Sequence, residues 1–118
     1  MHKLKDSFEW DATCSRVIDG DTIEIEFKVH PFLEQTAKDS VRFWGCNTPE
    51  DEGDTKEAGD RAKARVKELI EGKAVKISAD SREKYGRILG HVILEDGRNL
   101  GTILINEGLA VPYFGGKR

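Results

Sequence analysis

Period-2 alternation of apolar and polar residues dominates the first half of the chain. Thr13 to Ile18 reads as a strand and Asp19-Gly20 gives a two-residue hairpin signal; Ile23, Ile25 and Phe27 then alternate with Thr22, Glu24 and Glu26. Asp21 shares the parity of the apolar set, where an uncompensated carboxylate is costly, so it is expected at the hairpin mouth with a partner. His30 to Asp39 has no clean period and reads as a loop. Val41, Phe43 and Gly45 next alternate with Arg42, Trp44 and Cys46 as a third strand, and Pro49 cannot donate to a ladder, so pairing is expected to end before it.

The second half switches period. Ala58, Ala62, Val66, Leu69 and Ile70 share one face of a helix from about Lys56 to Glu71, with Gly72 as its stop. Val75, Ile77 and Ala79 mark a fourth strand, Asp80 to Gly86 a turn, and Ile88 to Leu94 a fifth strand. Asn99 then caps a second helix that buries Leu100, Ile103 and Leu104 and stops at Gly108. Three strands, a helix, two strands and a closing helix predict a mainly β α+β protein. The expected architecture is an all-antiparallel Greek-key barrel of the five-stranded OB type with two appended helices, a fold that commonly binds oligonucleotides. An α+β sandwich is the competing arrangement. Residues 1–12 are mostly polar, with Phe8 and Trp10 set two apart, and read as an N-terminal arm or short edge strand ahead of a domain over 13–118.

Composition narrows the function. A length of 118 residues is enough for one core without disulfides, and no apolar run is long enough to span a membrane. The first residues, Met-His-Lys-Leu-Lys, lack the apolar core of a signal peptide, so a cytoplasmic protein is expected; the sequence leaves the oligomeric state open, with a monomer favoured. Cys14 and Cys46 have neither zinc nor redox spacing and read as buried free thiols. The net charge of −3 argues against a sequence-independent coat for nucleic acid, whose affinity comes from many phosphate contacts. It does not argue against an enzyme that pairs carboxylates with a divalent cation.

Val41 to Glu50 gathers suitable chemistry at one strand end. Arg42 can clamp phosphate oxygens, while Asn47, the Thr48 carbonyl and Glu50 offer hard oxygens to a cation or a water. Asp51, Glu52 and Asp54 read as solvated charges ahead of the helix N-terminus. His2, His30 and His91 show no ligand spacing and read as structural or surface residues.

Three segments, Val17-Ile18-Asp19-Gly20-Asp21-Thr22, Val41-Arg42 through Asn47-Thr48-Pro49-Glu50, and Lys84-Tyr85-Gly86-Arg87, together resemble the staphylococcal nuclease (thermonuclease) family of calcium-dependent nucleases. The resemblance runs from about Thr13 to Tyr113. Each segment alone has an ordinary turn or ion-pair explanation; their joint order and spacing carry the likeness. The resemblance implies an endonuclease for DNA and RNA with Ca2+ as cofactor. It implies Arg42, Glu50 and Arg87 as catalytic, Asp21 and the Thr48 carbonyl as calcium ligands, and Asp19 as an acid behind them. Glu50 would deprotonate or orient the attacking water, both roles needing a carboxylate within reach of it. Lys84 and Tyr85 resemble contacts to a terminal phosphate. Tyr113 resembles a tyrosine beside the bound nucleotide, although it needs a one-residue shift to align, so core packing is an equal alternative.

Two departures stand out. Asn47 occupies the place of a second aspartate ligand and offers an amide oxygen without charge, so calcium binding is expected to be weakened. The chain also ends soon after Phe114, where the family's best-known member continues into a helix, so the core is expected to close without it. The alternative function is a catalytically weak or inactive OB module that binds nucleic acid or a protein.

Overall fold

The twelve-residue run Phe8–Asp19 forms one long strand, β1. After it come β2 (Thr22–Lys28), β3 (Thr36–Phe43), β4 (Cys46–Asn47), α1 (Lys56–Ile70), β5 (Ala74–Arg82), β6 (Ile88–Ile93), α2 (Leu100–Asn106) and β7 (Val111–Pro112); a 3-10 turn at Gly53–Thr55 precedes α1. The computed structural model describes residues 8–29, 32, 35–50, 52–82 and 87–113. Five strands close a barrel in the order β1-β2-β3-β6-β5, and β4 pairs with β7 as a separate ribbon. This is the OB-type barrel with two helices that the pattern predicts.

β1 serves two neighbours. Phe8 to Thr13 pair with Ala79 to Ala74 of β5, and Thr13 to Asp19 pair with Glu26 to Thr22 of β2, with register shifts after Cys14 and after Val17. Such irregularities bend a strand and let one segment turn a barrel corner. From Phe8 onward, therefore, the expected arm belongs to the barrel.

Two further expectations are corrected. The barrel is not all-antiparallel: Val41, Arg42 and Phe43 of β3 run parallel to Ile88, Leu89 and Gly90 of β6. Strand direction at closure depends on how the intervening α1 and β5 return the chain, which a local pattern does not record. The loop expected over His30 to Asp39 is strand from Thr36, because Thr36 to Ser40 pair with Lys28 to Glu24. Its side chains alternate only between exposed and half-buried, so backbone pairing rather than burial defines it.

Inside, Val17, Ile23, Ile25, Val41, Ile77 and Val92 form one buried cluster with Val66 and Ile70 of α1 and Leu100 and Leu104 of α2. Each such side chain contributes about 1.5–3 kcal/mol relative to exposure. Asn99 Oδ1 accepts from Thr102 N at 3.3 Å as the predicted cap of α2. Gly72 and Gly108 follow the two helices at φ 79° and 78°, the left-handed conformation that ends a helix. No helix among the described residues is long and apolar enough to cross a membrane.

Candidate active site

The tight turn between β1 and β2 is Gly20-Asp21, not Asp19-Gly20: Asp19 pairs with Thr22 and is the last residue of the strand. Gly20 is required there by proximity. A Cβ at Gly20 would lie 2.8 Å from Thr48 Oγ1 and 2.9 Å from Ala62 Cβ, so only hydrogen fits between this turn, the segment after β4 and α1.

The turn presents Asp21, which has the partners its position demands. Its side chain is 14 % exposed, and Arg42 Nη2 lies 3.6 Å from Oδ2. Oδ2 also accepts from Thr48 N at 3.2 Å, and Oδ1 accepts from the Thr22 hydroxyl at 3.3 Å. The Asp21 carbonyl accepts from Phe43 N at 2.9 Å, tying the turn to the end of β3.

Arg42 is only 5 % exposed, so it is no surface ion-pair residue. β3 ends at Phe43, one residue after it, instead of continuing to Cys46. The chain turns at Trp44 and Gly45, with Gly45 at φ 87°, before the short β4. That turn wraps the guanidinium: Nη1 donates to the Phe43 and Cys46 carbonyls, both at 3.0 Å. Nη2 donates to Asn47 Oδ1 at 2.6 Å. Both Nη1 hydrogens are committed to backbone, so a phosphate would meet Arg42 through the Nη2 edge that now holds Asn47 and faces Asp21.

Arg87, just ahead of β6, is half-buried, and its Nη1 reaches the Thr22 hydroxyl at 3.5 Å. Thr22 thus links Arg87 to Asp21, and Asp21 links to Arg42. Sequence patterning places Thr22 among the outward residues of β2, yet it is buried at 2 % exposure. At a tight turn parity does not carry through, and a hydroxyl gives no hydropathy signal of its own.

Glu50 is exposed, and its carbonyl accepts from Thr55 Oγ1 at 2.7 Å, which holds the loop to the start of α1. Asp19, Gly20, Asp21, Thr48, Pro49 and Glu50 line a pocket of about 40 Å³. That volume holds a water or one small ion, since a water needs about 10–15 Å³ of such space. The pocket's donors are all oxygen, which suits a hard cation such as calcium. Among the described residues no three His, Cys, Asp or Glu side chains converge as a closed ligand set, so water and substrate would complete the coordination. The Asn47 amide oxygen is turned toward Arg42 and is absent from the pocket lining.

Tyr113 is half-buried beside this region; its N donates to the Gly45 carbonyl at 2.9 Å, and β7 pairs with β4 immediately before it. Lys84 and Tyr85 lie outside the described residues. Cys46, wholly buried next to this constellation, has its thiol pushed up to about 11 by burial and then by Asp21, with Arg42 opposing. It is an inert thiol at neutral pH, as is Cys14, also pushed up to about 11 by burial.

A small β-barrel thus carries two half-buried to buried guanidinium groups, a paired carboxylate and an oxygen-lined pocket, groups whose chemistry suits a phosphodiester and a hard cation. A family described as staphylococcal nuclease homologues matches residues 40–118, well over half the chain. An "Uncharacterized endonuclease" of Escherichia coli is 31% identical over 113 residues, covering 90% of this chain and 67% of that protein. Endonuclease YncB of Bacillus subtilis is 34% identical over 106 residues, 85% of this chain but 46% of its own length. For endonuclease YhcR of the same organism the identity is 31%, over 90% of this chain and 9% of its own length. The chain belongs to the staphylococcal nuclease homologue family, a family of phosphodiester hydrolases.

Proposed function

We propose that this chain is a calcium-dependent endonuclease that hydrolyses DNA and RNA phosphodiesters with little base specificity. One observation carries the reading: Arg87, Thr22, Asp21 and Arg42 form a connected polar set beside a pocket that Glu50 also lines. The relatives named as endonucleases support the same chemistry.

Asp21 and the Thr48 carbonyl would hold the cation, with Asp19 close by and Asn47 joining only by leaving Arg42. When bound, a divalent cation offsets the negative charge that develops on the phosphate oxygens. Arg87, and Arg42 through its Nη2 edge once Asn47 gives way, would stabilise the same oxygens by charge-assisted hydrogen bonds. Glu50, exposed at the pocket rim, orients the attacking water and accepts its proton as the new P–O bond forms and the leaving oxygen departs. Little base specificity is expected, because the chemistry of these groups addresses phosphate rather than base edges.

Commitment of Arg42 to Asn47 and to two carbonyls favours a second reading, a binding module of low catalytic power. Digestion of single-stranded DNA, duplex DNA and RNA, with calcium and with chelator, separates the two. The nuclease reading expects cleavage that stops with chelator and in Glu50→Gln. Binding without cleavage by the parent protein in calcium establishes the module instead.

A further inference from the structure

Trp44 and His91 form a feature of the same surface that the chemistry above leaves unused. Trp44 is one of the few large hydrophobic side chains exposed among the described residues, at 40 %. Its ring meets the imidazole of His91 in a tilted contact, centroids 5.2 Å apart and planes inclined by 55°. Both are anchored. Trp44 N donates to the Gly90 carbonyl at 2.8 Å. The Asn99 side chain spends its oxygen on the Thr102 N–H, so its amide hydrogens face His91 Nδ1, 2.9 Å away. Gly101 brings α2 close behind, since a Cβ there would sit 3.3 Å from Asn99 Oδ1 and 3.5 Å from Cys46 Sγ. The indole is therefore mounted on strand and helix, the arrangement that suits a preformed binding surface.

Its location relative to the two arginines follows from strand geometry. β6 alternates buried and half-buried from Ile88 to Ile93, so Leu89 and His91 share the outer face, and Arg87 continues their parity. Arg42 pairs with Leu89, which puts it on that face between Arg87 and His91. Arg87, Arg42 and the Trp44–His91 pair thus lie in a line. Four residue steps lead from Arg87 to His91, about 13 Å at roughly 3.3 Å per step along an extended chain. A stacked strand advances about 3.4 Å per nucleotide, so this spans about four nucleotides, and fewer when the strand is extended.

We propose that Trp44, backed by His91, is a nucleobase-stacking subsite that takes a base of a single-stranded substrate a few nucleotides from the phosphate held at Arg42 and Arg87. The inference rests on the nuclease reading. An aromatic face accepts any base, so the subsite adds affinity without sequence preference. Bases inside a duplex have no free face to offer, so single strands are favoured over duplexes.

The test compares a single-stranded oligonucleotide long enough to span both sites with a dinucleotide too short to reach Trp44. Trp44→Ala is expected to raise KM for the oligonucleotide about tenfold with kcat little changed, and to leave the dinucleotide unaffected. Trp44→Phe keeps a stacking face and is expected to stay near the parent. The chain has two tryptophans. In a Trp10→Phe, Glu50→Gln protein Trp44 is the only one, and its emission is expected to be quenched as the oligonucleotide binds. Unchanged oligonucleotide KM in Trp44→Ala overturns the subsite while the nuclease reading stands. If Trp44→Ala damages turnover of both substrates, the emission decides, and an unquenched Trp44 in the presence of bound oligonucleotide overturns it. A parent protein that neither cleaves nor binds removes the nuclease reading and the subsite with it.

Discussion

Replacing Gly20 with alanine tests how the site is held together. The added Cβ meets Thr48 Oγ1 at 2.8 Å and Ala62 Cβ at 2.9 Å, where carbon contacts are comfortable only near about 3.5–4.0 Å. Neither neighbour is the end of a flexible chain: Ala62 is fully buried on α1, and Thr48 follows β4 directly. Relief requires backbone movement, and overpacking of this kind costs about 1–3 kcal/mol. Restricting the unfolded chain returns about 0.4–1 kcal/mol, since the φ of Gly20 is not positive. The net is a destabilisation of about 1–2 kcal/mol, measured as a lower urea midpoint at unchanged m-value. Displacing Thr48 also loosens its N–H contact to Asp21, so kcat/KM on single-stranded DNA is expected to fall by more than the folded fraction explains. Ala62→Gly removes one of the two contacts while costing about 1 kcal/mol as a helix glycine. The double variant should therefore lose less than the sum of the singles, by about 0.5–1.5 kcal/mol. A Gly20→Ala protein of parental or greater stability, or strict additivity with Ala62→Gly, refutes the close approach and the reasoning built on it.

Asn47→Asp is expected to tighten calcium binding by adding charge near the pocket; equal affinities of the two forms by calorimetric titration exclude position 47 from the coordination shell. Arg42→Ala should abolish cleavage and, by leaving Asp21 without its cation in a nearly dry setting, destabilise the fold by about 3–5 kcal/mol, which denaturant unfolding measures. The buried thiols set an alkaline limit. Each titrates from an ordinary value of 9.0 to about 11 in the folded protein, so the unfolded chain ionises first and stability drops progressively from about pH 9 to pH 11. Urea unfolding across that window should show a steeper decline than in the Cys14→Ala, Cys46→Ala protein, and equal slopes contradict the burial argument. Trp10→Phe should cost little, because Trp10 Nε1 is buried with no hydrogen-bond partner among the described residues and the ring's edge contact with Phe27, at 6.0 Å, is one phenylalanine can keep.

Much of this protein was legible in its sequence because local chemistry specified it. Alternation at Ile23, Ile25, Val75 and Ile77 reports which strand face is buried, and Asn99, Gly72 and Gly108 mark helix ends through capping and left-handed φ. The requirement that Asp21 find a partner was also legible, since a carboxylate near a core is costly without one. Tertiary structure alone decided the rest. The parallel β3–β6 closure depends on the path of the whole chain, not on any window of it. The one-residue shift of the hairpin turn comes from a register shift near the end of β1 and from the space that Thr48 and Ala62 leave at Gly20. Arg42 reads in the sequence as a clamp for phosphate oxygens but is enclosed by carbonyls from the turn that follows it, with Asn47 on its other nitrogen. Composition and pattern name the groups available to a phosphate site. Which of them face the phosphate, and which are spent holding one another, is fixed by contacts between residues far apart in the chain, because hydrogen-bond capacity is shared out only when those residues meet.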